Sequence, residues 1–352
     1  MTDQPTISRP SAPSSFGTVK SAVASVSLLL LLCDLLGMVL VDIGHMFSDV
    51  FYRFAERIVG FFSGTTGFAA HALTESFFSS DAAGSLNSIL YRFFVMLLPF
   101  LISVKREKAM PMPISFGRGT PFAGLFAAFA LIQTFSSTAS SFSAWFRDFL
   151  LPVLPFSAPS DAPSAGTADF IIYFIELCVF TPFAEEYIFR GVIFGRLRHG
   201  GFSTAAFWSA LLFGLAHGAV PQMVYAFATG LMFAFVYEKT GSLWYSILFH
   251  ALNNATNFLF ADLLPIYLGE DAAYLCHDLY FFLCAGLSVF GFFALFMKTS
   301  RRTDGSRPFR KGEAESAIPM RRLVSAPVVL YILMFLRTAV IEPLCDYLGQ
   351  AR

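Results

Sequence analysis

Residues 21–41 read SAVASVSLLLLLCDLLGMVLV. A run this long and this apolar spans the ~30 Å hydrocarbon core of a bilayer as a helix. Comparable runs recur along the chain at about 88–104, 121–138, 168–184, 203–219, 221–237, 243–260, 274–297 and 325–342. Lipid cannot satisfy exposed backbone N–H and C=O groups, so these runs have to be helical. Composition agrees. Of 352 residues, 56% are hydrophobic, 14% are charged and 44 are Phe, whereas soluble domains carry roughly 25% charge. One soluble core cannot bury that much apolar surface. The expected fold class is all-α: a polytopic transmembrane helical bundle of about eight to nine membrane helices around a polar intramembrane cavity. Such a chain is an integral, multi-pass membrane protein, in the plasma (inner) membrane if bacterial. The lipid bilayer is its first partner, and a net charge of zero suggests no nucleic-acid partner.

The organisation reads in four parts. Residues 1–20, rich in Ser, Pro and Thr, form a disordered N-terminal tail. Residues 21–167 hold the N-terminal transmembrane helices and an interfacial segment, 42–87, that mixes aromatics with charges, Gly and Ser. Residues 168–260 form a core that collects the polar motifs. Residues 261–352 hold the C-terminal helices and a basic cytoplasmic loop, 298–324. The start does not read as a simple signal peptide, since about 20 mostly polar residues precede the first run and no clear cleavage site follows it. Cys33, Cys178, Cys276, Cys284 and Cys345 are scattered without a CxxC pair, which argues against a disulfide framework or a cysteine zinc site. No internal repeat suggests an inverted-repeat transporter.

Charge orients the helices. Lys105, Arg106, Lys108 and Arg118 lie in one loop, and Arg196 and Arg198 in another. Lys298, Arg301, Arg302, Arg307, Arg310, Lys311, Arg321 and Arg322 lie in a third. Nine helices with the N-terminus inside place all three loops on one side. The opposite loop, 261–273, carries Asp262, Glu270 and Asp271 and no Lys or Arg. Positive loops mark the cytoplasmic side.

An ionisable group in an apolar run costs about 2.5–3.5 kcal/mol on insertion scales, so each needs a reason. Three clusters stand within one stretch of the chain. The first is TPFAEEYIFRG, Thr181 to Gly191. Pro182 suits the first turn of a new helix with Thr181 as its cap. Glu186 and Arg190 are four apart and pair on one face. Glu185 is rotated ~100° from Glu186 and lacks that partner, which makes it the freer carboxylate and the better general base. The second is FGLAH, Phe213 to His217, in which Gly214 and Ala216 let another helix approach. The third is HALNN, with His250 and Asn254 four apart on one face. That spacing suits two ligands of one metal or two donors to one oxygen. Alone, the first cluster reads equally well as a helix salt bridge, and the second and third read better as polar packing or an interhelical hydrogen bond. Together, a carboxylate, two imidazoles and an amide on three helices are what water activation needs.

The order EExxxR, FxxxH, HxxxN, here Glu185-Glu186 to Arg190, Phe213 to His217 and His250 to Asn254, resembles the CAAX prenyl protease and bacteriocin-processing (CPBP) family of intramembrane proteases. The stretch Thr240-Gly241-Ser242-Leu243-Trp244 is similar to that family too. The resemblance covers about residues 168–260, which it marks as a CPBP-like catalytic core. It implies an all-helical membrane endopeptidase with Glu185 as the carboxylate that activates water and His217 as its partner. It implies that His250 and Asn254 stabilise the oxyanion or complete a metal site, with Glu186 and Arg190 as the supporting pair. Family members act on CAAX proteins, which are prenylated, or in bacteriocin processing or immunity. The expected function is hydrolysis of a peptide bond near the C-terminus of a membrane-associated or lipidated (CAAX-type) protein or peptide, by glutamate- and histidine-activated water. Zinc on His217, His250 and Asn254 is the metal alternative. An amide is a poor zinc ligand and a good donor, so the balance leans to a metal-free site.

Other protease signatures are missing: there is no HExxH and no GxGD. Ser63-Gly64-Thr65-Thr66-Gly67 resembles a serine-protease loop only faintly. The rival reading from another class is a non-catalytic membrane scaffold, a bacteriocin-immunity protein or a transporter that uses the same polar cavity for binding.

Overall fold

The computed structural model describes residues 15–107, 122–150, 167–297 and 323–350. Among them the secondary structure is helical throughout, with no strand. Eleven helical bodies follow in order. They are α1 (Ser15–Met46), α2 (Ser48–Ser63), α3 (Phe68–Phe78), α4 (81–107), α5 (Phe122–Leu150) and α6 (167–197). Then come α7 (Phe202–Leu215), α8 (Val220–Thr240), α9 (243–268), α10 (Glu270–Met297) and α11 (326–350).

Among the described residues the nine apolar runs lie on helices, except that the run 203–219 leaves its helix at Leu215. Among the described residues, six stretches are long and apolar enough to cross a bilayer: Gly17–Gly44, Asp81–Lys105, Leu125–Leu150, Val220–Thr240, Glu270–Val289 and Ala326–Cys345. α7 is apolar but shorter. The chain is therefore a multi-pass integral membrane protein. The expected tail falls mostly outside the described residues, and α1 already begins at Ser15. Most of the basic 298–324 loop and the Lys108–Arg118 part of the first basic loop also lie outside them.

α6 is the axle of the bundle. Every residue from Tyr187 to Phe194 is buried, and Ile188, Phe189, Ile193, Phe194 and Leu197 have no exposed surface. A helix apolar on all sides has to sit inside other helices. Around it lie Val19, Val23 and Val26 of α1, Phe100 of α4, Leu212 and Phe213 of α7 and Tyr237 of α8. The cytoplasm-facing end expected from sequence is tied by Arg198, whose Nε and Nη2 bond Glu238 of α8 at 3.0 and 2.7 Å.

Gly214 makes the α7–α8 crossing possible. A Cβ there would lie 2.8 Å from the Met223 carbonyl oxygen and 3.2 Å from Phe227 Cβ. The close approach read from the sequence is real. Gly241 ends α8 in the left-handed region, φ 65°, with its N–H on the Tyr237 carbonyl, so α9 can turn back beside α6.

Pro182 does not open a new helix. Helix α6 runs through it, and the turn before it, Glu176–Phe180, is wound as π-helix. The Thr181 N–H reaches back to the Glu176 carbonyl. A wider turn absorbs the proline ring that would clash in an α-helix. Thr181 is buried inside the helix, so it is not a cap.

Candidate functional site

Three helices deliver the polar residues. α6 carries Glu185, Glu186 and Arg190, α7 ends just before His217, and α9 carries His250 and Asn254. Glu186 and Arg190 are completely buried, Nη1 to Oε1 at 2.9 Å, as their spacing requires. Glu186 does more than pair with Arg190. The same Oε1 accepts from His250 Nδ1 at 2.9 Å, and Oε2 accepts from the Ser246 hydroxyl. Arg190 sends Nη2 to the Gly230 carbonyl at 3.0 Å, and its guanidinium lies 4.4 Å from the centre of the Phe213 ring. Such a network replaces the water that a buried ion pair gives up.

Glu185 points elsewhere, as the ~100° rotation demands. It is 7% exposed. Its Oε1 accepts from Arg92 Nη1 at 3.2 Å, and its Oε2 lies 3.8 Å from His250 Nε2. His217 shares the site: its ring is 4.8 Å from that of Phe213, which is 6.0 Å from the ring of His250. The structure thus gathers Glu185, Glu186, Arg190 and His250 into one buried cluster, with the half-buried His217 joined to it through the Phe213 ring.

Both imidazoles have their Nδ1 proton committed. His250 Nδ1 meets a carboxylate, and His217 Nδ1 meets the Phe213 carbonyl at 2.8 Å. A carboxylate and a carbonyl only accept, so Nδ1 must donate and Nε2 faces the site as a lone pair in the neutral ring. Phe233, stacked on His250 at 4.8 Å and 19°, fixes that ring plane.

Asn254 is tied to the backbone. Its Nδ2 donates to the Leu177 carbonyl at 2.8 Å. In the π-register of this turn, Leu177 is the carbonyl that Pro182, with no N–H, leaves unbonded. Asn254 therefore closes the gap that the proline opens. This bond uses Nδ2 and not Oδ1, the atom that zinc would take in the alternative on His217, His250 and Asn254. Among the described residues, no group of three or more His, Cys, Asp or Glu side chains is placed to hold a metal ion.

Sequence reasoning left out Arg92 and Ser246. Arg92 opens the π-helical turn Arg92–Leu97 of α4, and its partner lies 93 positions away. The signal was available: a cation in the apolar run 88–104 requires a counter-charge in the bundle. Ser246 carries no such signal, since serine is common in membrane helices. A second polar knot was also missed, with Tyr225 Oη bonded to the Ser136 hydroxyl at 2.8 Å and to Asn253 Nδ2 at 2.9 Å.

Fold and site together define a multi-pass membrane protein with a buried cluster of carboxylates, arginines and histidines at its axle. Residues 167–256 of this chain match the family model described as Type II CAAX prenyl endopeptidase Rce1-like, which contains all three motifs. Over 74 residues the chain is 36% identical to the provisionally named membrane peptidase YdiL of Bacillus subtilis (strain 168), covering 21% of this chain and 30% of that protein. Over 101 residues it is 34% identical to the membrane-embedded CAAX protease MroQ of Staphylococcus aureus (strain USA300), covering 27% of this chain and 41% of that protein. The alignments thus cover less than half of either relative. No solved structure matches the chain.

Proposed function

We propose that the protein is an intramembrane endopeptidase in which Glu185 activates water. The observation that carries this reading is the separation of the two adjacent carboxylates. Glu186 is saturated by Arg190, Ser246 and His250, whereas Glu185 faces His250 Nε2 and the His217 region with one hydrogen bond, from Arg92. Glu185 takes a proton from water as the oxygen attacks the scissile carbonyl. An Nε2 lone pair of His217 accepts the second water hydrogen and orients the attack. His250, when its Nε2 is protonated, donates to the oxyanion, with Glu186 holding the ring in place. Glu185 then returns the proton to the departing amine, so charge and atoms balance without a covalent intermediate. Asn254 serves this site by fixing the α6 turn just before the one that carries Glu185.

The resemblance supports the substrate class: a peptide bond near the C-terminus of a membrane-associated protein, with prenylated CAAX-type chains as the leading class. A lipidated substrate reaches an intramembrane site by lateral diffusion, without desolvating a soluble peptide. The test is a comparison of protein C-termini in membranes that contain the wild type or Glu185→Ala. New shortened C-termini should appear only with the wild type. Identical C-termini in both would refute the reading.

A further inference from the structure

The segment between α1 and α4 belongs to neither the bundle core nor the Glu–His site. α2 has no buried residue, and a 16-residue helix that buries nothing is marginal in water. Its faces are sharply divided. At ~100° per residue, Val50, Phe51, Phe54, Ile58, Phe61 and Phe62 fill one half of the wheel, and Asp49, Arg53, Glu56 and Gly60 the other. The apolar half faces outward: Phe54 is 63% exposed, and Phe61 and Phe62 are each 81% exposed. Arg57 sits at the seam between the halves. At ~1.5 Å per residue α2 is about 24 Å long, too short to cross the bilayer. It is bracketed by two helices that are long enough, so a membrane surface lies within its reach.

The polar side of the same helix borders a cavity of about 510 Å³. Arg53, Glu56, Arg57, Thr65, Thr66 and Gly67 line it. The Ser63-Gly64-Thr65-Thr66-Gly67 stretch, which the catalytic reading leaves unused, is the turn that forms its far wall. Gly64 and Gly67 adopt φ of 67° and 61° there, values that favour glycine. Arg53 gives Nε to the Asp49 carbonyl at 3.1 Å, and among the described residues its terminal nitrogens have no hydrogen-bond acceptor. Among the described residues, no carboxylate forms an ion pair with Arg53 or Arg57. Glu56 opposes them, but it lies 4.0 Å from His71. Two guanidiniums against one carboxylate leave the cavity net positive.

We infer that α2 lies in the membrane interface and that Arg53 and Arg57 hold the headgroup phosphate of an anionic phospholipid, with the phenylalanine face among its acyl chains. Planar guanidinium forks match phosphate oxygens. An amphipathic helix with arginine beside phenylalanine binds by combining apolar burial with attraction to anionic lipid. The site is independent of the proteolytic reading, because none of its residues touches the Glu–His cluster.

The full chain in mild detergent is titrated with phosphatidylglycerol and, separately, with phosphatidylcholine, and bound lipid is counted by native mass spectrometry. Phosphatidylglycerol should bind at least tenfold more tightly, and Arg53→Gln/Arg57→Gln should remove that preference. If the double variant does not fold, Arg57→Gln alone, at an exposed position, should cut the preference at least threefold. In vesicles, tryptophan at Phe61→Trp should be quenched by doxyl-labelled lipid, over the background of the parent chain. No lipid preference in the wild type, an unchanged preference in the variants, or an unquenched tryptophan would overturn the proposal. So would equal occupancy by inorganic phosphate at millimolar concentration, which would make the site one for free anions.

Discussion

Replacing Glu186 by Gln isolates the charge of the buried pair from its hydrogen bonds. The side-chain carbonyl of the substituted glutamine can still accept from Arg190 Nη1 and His250 Nδ1, and its amide can donate to Ser246. What disappears is the negative charge opposite a guanidinium that has no exposed surface. The Gly230 carbonyl at 3.0 Å and the Phe213 face at 4.4 Å hold the geometry of Arg190 but leave its charge uncompensated. Removing one partner of such a pair costs about 3–5 kcal/mol. Adding Arg190→Met removes the stranded charge, and apolar replacements of buried pairs are often neutral or stabilising. Glu186→Gln/Arg190→Met should therefore be more stable than Glu186→Gln alone, by about 2 kcal/mol or more. Glu185→Gln should cost less than Glu186→Gln, because Arg92 in that pair is 31% exposed whereas Arg190 has no exposed surface. Thermal unfolding of the purified variants in one detergent, at one scan rate, ranks them. A double variant less stable than Glu186→Gln, or Glu185→Gln as the least stable of the three, would refute this account of the two carboxylates.

Arg92→Gln should lower kcat at least tenfold with little change in KM, because it removes the guanidinium that bonds the Glu185 carboxylate; Arg92→Lys should restore part of the rate, and kinetics on a cleavable peptide decide it. Gly214→Ala should destabilise the chain by about 1–3 kcal/mol, since its methyl would press on the Met223 carbonyl, a backbone atom that cannot swing away; melting against Gly84→Ala, where a Cβ meets nothing within 4 Å, provides the control. A cysteine at position 270 should be labelled from outside intact cells and one at position 312 should not; the reverse pattern would invert the topology.

The apolar runs were legible as helices because lipid forces a long apolar run to be helical, although among the described residues only six stretches are long and apolar enough to cross a bilayer. Lengths and ends were less legible: α9 runs on to residue 268 beyond the expected end at 260, through the π-turn Phe258–Leu263. Such turns carry no period of their own in the sequence. The Glu186–Arg190 pair could be read because both partners lie one turn apart on one helix. The bonds from Arg92 to Glu185 and from Ser246 and His250 to Glu186 join residues 60 to 93 positions apart, and only the packing of helices brings them together. Asn254 shows the opposite failure. Its place in HxxxN was visible, but its tie to Leu177 depends on how the chain winds around Pro182, which spacing cannot tell.

Turnover of a farnesylated CAAX peptide by purified wild type and Glu185→Gln, reconstituted in the same lipid, tests the central claim most directly. Gln keeps the shape of the side chain and cannot take a proton. The wild type should release the C-terminal tripeptide, and Glu185→Gln, folded and melting close to the wild type, should be slower by at least about a thousandfold, roughly 4 kcal/mol of transition-state stabilisation. Near-normal turnover by Glu185→Gln would contradict the account.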